Sequence, residues 1–555
     1  MRRTAVIRSI TLFFALQVAS SASAAAATHS HGTAPPAHPR VPLYAGLSTL
    51  EHKVSTKNVL AQRYFNQGLR LSYAFNHDEA ERAFLEAARL DSTCAMAWWG
   101  AALVLGPNIN MPMSPEAEAQ AYTNIQKAQA LASQATDAER DYIEALAKRY
   151  GPPSGTSRAA RDSMYADAMR NVMKNHPADP DAAVLCSEAL MDLRPWDLWT
   201  LDGKPQPGTP EIVSTLEGVL KKNPDHIGAI HLYIHAVEAS PEPGRAEKYA
   251  DRLPKLAPYA GHLVHMPSHI HLRVGRYEDA VETNARAIAA DRDYIRKQDV
   301  HGMYTVMYYP HNIHMRWYAL CELGRRADAQ AAARDLAAAV PDSLVRSIPM
   351  AEFFRPTHSL TEVRFGLWDE ILKEAAPARD MPLSIAVYHY ARGMALAATG
   401  RIPEAEVERD TLSAIAAAAP PDLIYGLNAA QPVFRFAAAL LAGEVAARGG
   451  KTDDAVRLLT IATQQQDSLR YDEPPPWNMT ARQSLGAVLL AAGKASDAEA
   501  VYREDLARNP ENGWSLYGLV QALRSEKKET EAAAVEKRYR VAWATSDVTL
   551  EASRF

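Results

Sequence analysis

The 555-residue chain is 47% hydrophobic and 23% charged, a balance that supports a buried core and sets aside intrinsic disorder. Its 60 Lys and Arg against 65 Asp and Glu leave a formal charge of -5, so no basic field points to a nucleic-acid partner. Cys94, Cys186 and Cys321 are far apart and odd in number, so neither a disulfide framework nor a CxxC site can be read.

In chain order, residues 1–24 read as a signal peptide. Arg2, Arg3 and Arg8 precede the apolar run ITLFFALQVA, and Ala22-Ser23-Ala24 is the small-x-small pattern that a signal peptidase cuts. The expectation is an exported protein, periplasmic or secreted, with no later apolar run of about 18 residues to span a membrane. Residues 25–54, with THSHGTAPPAHPRVP, read as a flexible Pro- and His-containing leader in which His29 and His31 are at most a weak metal site.

From Ala61 the chain becomes repetitive. Gly68 and Ala80 are small, Phe84 and Ala87 follow at helical spacing, and a turn-like Asp91-Ser92 comes next. Two helices of roughly 12 to 14 residues joined by a tight turn produce this pattern, with small residues where the backbones approach. The FNHDEA stretch from Phe75 to Ala80 occupies the turn, and Asn76 is the residue expected there in the left-handed conformation. His77, Asp78 and Glu79 then serve as favourable first-turn residues of the second helix. The same small pairs recur as Gly393 with Ala405, Gly443 with Ala455, and Gly486 with Ala498, the last followed by Pro510.

These residues resemble the tetratricopeptide repeat (TPR) family, whose unit of about 34 residues keeps small residues at positions 8 and 20 and often Pro at 32. The resemblance covers most of Ala61 to Thr545 and implies an all-α fold, a TPR-like α-solenoid: a right-handed superhelix of helix pairs with irregular insertions. It divides the chain into irregular repeats over 55–225, histidine-rich repeats over 226–345 and further repeats over 346–555. The phrases GHLVHMPSHI and HLYIHAVE are in addition similar to an exported bacterial subset of TPR proteins, to which no activity attaches.

Between the irregular and histidine-rich repeats, RPWDLWTLDGKPQPGTPE (194–211) reads as a long loop. Trp196 and Asp197, with Trp199 and Asp202, either close over a groove as a lid or plug an irregular junction.

The stretch from His226 to His314 holds ten of the chain's 18 histidines. Units starting at 227, 261 and 310 put Ala246, Ala280 and Ala329 at position 20, with an insertion, roughly IRKQDVHGMYTVMYY, before the third. In this frame His231, His265 and His314 share position 5, His262 and His311 share position 2, His235 and His269 share position 9, and Glu238 and Cys321 share position 12. Those positions lie along one stripe of a helix. In TPR arrays that stripe of the first helix lines the concave groove, so the resemblance implies that seven imidazoles, Glu238 and Cys321 face one channel. His226 and His271 fall off the stripe and read as structural. His301, in the insertion with Tyr304 and Tyr308, is placed to cap the channel.

Neutral imidazoles are common ligands of transition metals, and the i, i+4 pairs His231/His235 and His265/His269 can each grip one ion. Glu238 either completes such a site or orients a ligand. The expectation is a groove that binds a divalent transition metal (Zn, Cu or Fe) through His231, His235, Glu238, His262, His265, His269, His311 and His314, with Trp196, Asp197, His301, Tyr308 and Cys321 as lid or ligand contacts. The alternative is an extracytoplasmic TPR scaffold that holds a peptide or partner protein without metal. Pro267 inside the second histidine helix bends it and tilts His269 in a direction that the spacing does not give. Familiar catalytic signatures are missing: HLYIH lacks the Glu of HExxH, and neither GxSxG nor CxxCH occurs. An enzymatic role would have to use the histidines themselves.

Overall fold

The computed structural model describes residues 41–152 and 155–555, divided into a short unit ending at Pro42 and the repeat body Leu43–Phe555. The signal peptide read at 1–24, together with His29 and His31, lies outside the described residues.

The repeat body is an α-solenoid of consecutive antiparallel helix pairs, beginning with Val59–Ser72 against His77–Leu90. It continues through pairs such as Pro382–Ala398 with Ile402–Ala418 and Ala430–Arg448 with Thr452–Asp467, and ends with Gly513–Ser525 against Glu529–Ala542. Local chemistry starts the helices. Asn58 accepts from the Leu60 and Ala61 amides, Thr136 and Glu139 form a reciprocal capping box, and Asp179 caps a helix that opens on Pro180.

Small residues set the spacing between paired helices. A methyl group at Gly68 would lie 2.7 Å from the Phe84 ring, so only glycine lets the two helices approach this closely. The matching alanines, including Ala80, Ala246, Ala280, Ala329, Ala405, Ala455 and Ala498, are all fully buried. In the first pair the left-handed turn residue is Phe75 (φ 52°), while Asn76 keeps a negative φ. The expectation for Asn76 is therefore shifted by one residue, and the shift aims the Phe75 ring at the histidines.

Residues from Leu43 to Val54 are not a flexible leader. Tyr44 donates through its hydroxyl to Glu79 at 2.8 Å and stacks on Tyr259, the Tyr259 amide donates to the Gly46 carbonyl, and His52 Nδ1 pairs with Asp181 at 2.8 Å. This extended strap ties the first helix pair to the Pro180–Met191 helix and to Tyr259, because its polar and aromatic residues find partners there. The insertion before Pro310 is likewise ordered. It lengthens the Tyr277–Gln298 helix and then forms a π-helical turn, Tyr304–Tyr308, that runs directly into Tyr309–Glu322.

The C-terminal repeats pack back onto the histidine-rich ones. Tyr471 reaches Glu238, Trp514 Nε1 donates to the Cys321 carbonyl at 3.0 Å, and Arg364 donates to Glu322 at 3.2 Å. The inner stripe of the histidine helices is consequently an interior rather than the wall of an open groove. Among the described residues no helix is long and apolar enough to cross a membrane.

Candidate metal centre

Three helical segments carry the centre. Ile227–Val237 brings His231 and His235; Gly261–His265 and Pro267–Val274, a helix interrupted at Met266, bring His262, His265 and His269; Tyr309–Glu322 brings His311. Gly261 is required by packing: a Cβ there would sit 1.8 Å from Asp291 Oδ1, and Asp291 is held by the Tyr304 hydroxyl and the Asn312 amide, each at 2.7 Å. Across the interruption at Met266 the backbone stays helical, so His269 remains one turn from His265, with their Nε2 atoms 2.6 Å apart. The tilt that the spacing left open is thus inward.

The six imidazoles form two groups of three. One ring nitrogen from each of His231, His235 and His262 lies within 4.8 Å of the others, and the same holds for His265, His269 and His311. The groups adjoin, with ring centroids 5.7 Å apart for His262 and His265 and 5.4 Å for His235 and His269. Five of the six rings are buried, and His311 is half-buried.

Four of the rings have their Nδ1 atoms tied down. His231 Nδ1–H donates to the Tyr73 carbonyl at 2.6 Å, and His235 Nδ1–H to Glu238 Oε1 at 2.7 Å. His269 Nδ1–H donates to Glu238 Oε2 at 2.7 Å and also touches Glu473. His265 Nδ1–H donates to Asn284 Oδ1 at 2.8 Å, and Asn284 is itself oriented by donating to the Ala280 carbonyl. A proton held at Nδ1 leaves the lone pair at Nε2, and such backing is what orients histidine ligands in metal sites. The Nε2 atoms then face one another: His231 and His262 at 3.2 Å, His265 and His269 at 2.6 Å. His235 Nε2 is buried with no hydrogen-bond partner.

Protonation is opposed throughout most of the cluster. Burial, reinforced by neighbouring imidazoles, holds His231, His262 and His265 well below the usual histidine range. Burial also brings His235 and His311 down to about 3. His269 is the exception: burial pulls it down, but Glu473 and Glu238 together outweigh that and lift it to about 10. Burial, and then the charge of Glu238, push Glu473 up to about 7. The two carboxylates thus call for a positive charge beside His269, which either a proton shared with His265 or a metal ion supplies.

Several predicted residues sit elsewhere or act differently. Glu238 stands behind the rings, both oxygens accepting from Nδ1 atoms, the geometry of the orienting role that the sequence left open beside that of ligand. His235, Glu238, His269 and Glu473 also bring donor atoms within 4.8 Å of one another, but an ion there would displace the hydrogen bonds that aim the Nε2 atoms inward. His314 leaves the set: it stacks on Trp317 at 5.2 Å and meets Phe353 and Phe354 edge-on, because helical rotation from His311 turns it into an aromatic core. Cys321 is buried in the hydrophobic core with its thiol against Asn478. His301 is exposed beside Asp299, and so caps nothing. Asp197 pairs with Arg194 at the surface side of its loop. Trp196 does reach the centre, edge-on to His235 at 5.4 Å, and Tyr308 is edge-on to His262 at 4.9 Å. Of the residues set aside as structural, His226 contacts Asp181 and His271 contacts Asp251.

Sequence reasoning missed Phe75, Tyr73, Asn284, Tyr471 and Glu473. The Phe75 ring packs on His231 at 4.4 Å and lies stacked near His262 at 5.6 Å. The only signal for Tyr471 and Glu473 is that Gly443 and Gly486, the matching small residues of successive units, are farther apart than one repeat, which leaves an inserted segment between them.

No protein-family model matches the chain, and neither does any curated protein. Among solved structures it is similar to human IFIT1, a dimer with m7Gppp-AAAA, at 13% identity over 88% of this chain and 91% of that one, TM-score 0.32. It is similar also to the P58(IPK) TPR domain, at 12% identity over 85% and 99%, TM-score 0.22. A third is Naa15/Naa10 bound to HypK-THB, at 12% identity over 87% and 70%, TM-score 0.22. The repeat architecture of this protein is read from its own helix pairing.

Proposed function

We propose that the protein binds transition metal through the clustered imidazoles of His231, His235, His262, His265, His269 and His311. The observation that carries this reading is the direction of the rings: four Nδ1 atoms are fixed by acceptors, and Nε2 atoms of different residues are turned toward one another. Burying His265 and His269 with both Nδ1 protons committed and their Nε2 lone pairs face to face is unfavourable unless something positive sits between them. A proton relieves one His265–His269 contact and leaves His235 Nε2 without a partner. Bound metal would relieve that contact and also give His235 Nε2 a partner. Imidazole donors suit zinc, copper, iron and nickel.

A helix-pair scaffold that holds a peptide or partner protein is the second reading. It draws on the architecture alone, whereas the histidines are enclosed by the chain's own C-terminal repeats and offer no open wall to a peptide. Export remains a proposal that rests on residues 1–24.

The test is metal analysis of untagged protein supplied with zinc, copper, iron and nickel. Stoichiometric metal is expected, with a marked loss in His231→Ala and in His265→Ala. Wild-type protein without stoichiometric metal overturns the reading.

A further inference from the structure

We propose that the centre is dinuclear, one ion on His231, His235 and His262 and a second on His265, His269 and His311, with Glu238 as the shared acceptor behind both. The inference rests on the metal-binding reading and adds how many ions bind, and where.

The partition follows from geometry. Nitrogens around a tetrahedral ion with bonds of about 2.0–2.1 Å lie about 3.3 Å apart. The 3.2 Å between His231 and His262 fits that edge, the 2.6 Å between His265 and His269 would have to open to it, and within each triad the donors come within 4.8 Å, while no grouping of the described residues joins all six. One four-coordinate ion would leave at least two imidazoles buried and unserved. Two ions, each with three imidazoles, use every ring.

Glu238 links the two halves. Its Oε1 accepts from His235 of the first triad and its Oε2 from His269 of the second, so a single carboxylate orients a ligand in each. The two rings it holds are 5.4 Å apart, which sets the ions side by side.

The donor set also defines what the centre would take. Three neutral ligands per ion leave each an open coordination position and an uncompensated positive charge. Phe75, Trp196 and Tyr308 wall the first triad, whereas half-buried His311 marks the accessible side of the second. An open position on a positively charged ion suits a small anionic ligand.

The test is equilibrium dialysis of metal-free, untagged protein against cobalt(II) and, separately, copper(II), followed by EPR of the copper form. Two equivalents per chain are expected in the wild type and one each in His262→Ala and His311→Ala, with magnetic interaction between the two copper ions. One equivalent in the wild type overturns the dinuclear assignment and leaves metal binding standing; no bound metal overturns both. Two magnetically isolated copper signals also overturn the shared centre. The wild-type stoichiometry decides the question even if a variant does not fold.

Discussion

His265 and His269 face each other through their Nε2 atoms at 2.6 Å, each ring backed on its far side, His265 by Asn284 and His269 by Glu238. Two acceptor-backed imidazoles pointed at one spot need a cation there, and the backing residues should therefore control how well it is held.

Asn284 touches no other ring of the cluster by hydrogen bond, which makes it a clean probe of that backing. Asn284→Leu removes the acceptor from His265 Nδ1 and frees the ring to rotate or change tautomer. Metal affinity should fall about 10- to 100-fold, read by competition with a chromophoric chelator. An unchanged affinity would mean that His265 is not a ligand.

Glu238→Ala removes the acceptor from His235 Nδ1 and one of the two carboxylates on His269 Nδ1, so its effect should exceed that of Asn284→Leu in the same chelator assay. Glu238→Gln retains one acceptor oxygen and should fall between them.

His314→Ala tests the correction to the sequence-based site. The substitution removes a ring packed against Trp317, Phe353 and Phe354, and should lower the thermal midpoint while leaving metal content at the wild-type level. Loss of an ion in this variant would return His314 to the centre.

The repeat spacing can be tested at Gly486, where a Cβ would lie 2.4 Å from the Tyr502 ring. Gly486→Ala should destabilise by about 1–3 kcal/mol in urea unfolding, since the aromatic ring is itself fixed between helices.

Glu322 provides a pH test remote from the histidines. Burial pushes its carboxyl up to about 7, with Arg364, 3.2 Å away, offsetting part of the effect. A raised folded value means that the native state binds the proton more tightly than the unfolded chain. The resulting stability is fully present below the unfolded value near 4.5 and is lost as pH rises through about 7. Glu322→Gln should remove this dependence, so the stability of the variant relative to wild type should increase between pH 4.5 and pH 8, by as much as about 3 kcal/mol in urea unfolding. A flat difference across that range would show that Glu322 titrates normally.

The sequence by itself determined the helix pairs and the stripe that gathers the histidines. Gly68, Ala80, Gly486 and Ala498 disclose the repeat because close helix packing tolerates only small side chains, and helical periodicity is local. His231 with His235, and His265 with His269, were legible as pairs for the same reason. Tertiary structure decided which stripe members meet. It turned His314 onto Trp317, placed both Glu238 oxygens on the Nδ1 atoms of His235 and His269, and brought Glu473 and Tyr471 from more than 200 residues away to close the interior. Those outcomes depend on the rotation of each helix about its axis and on how the C-terminal repeats pack back onto the earlier ones. Both are set by long-range packing, which has no counterpart in residue spacing.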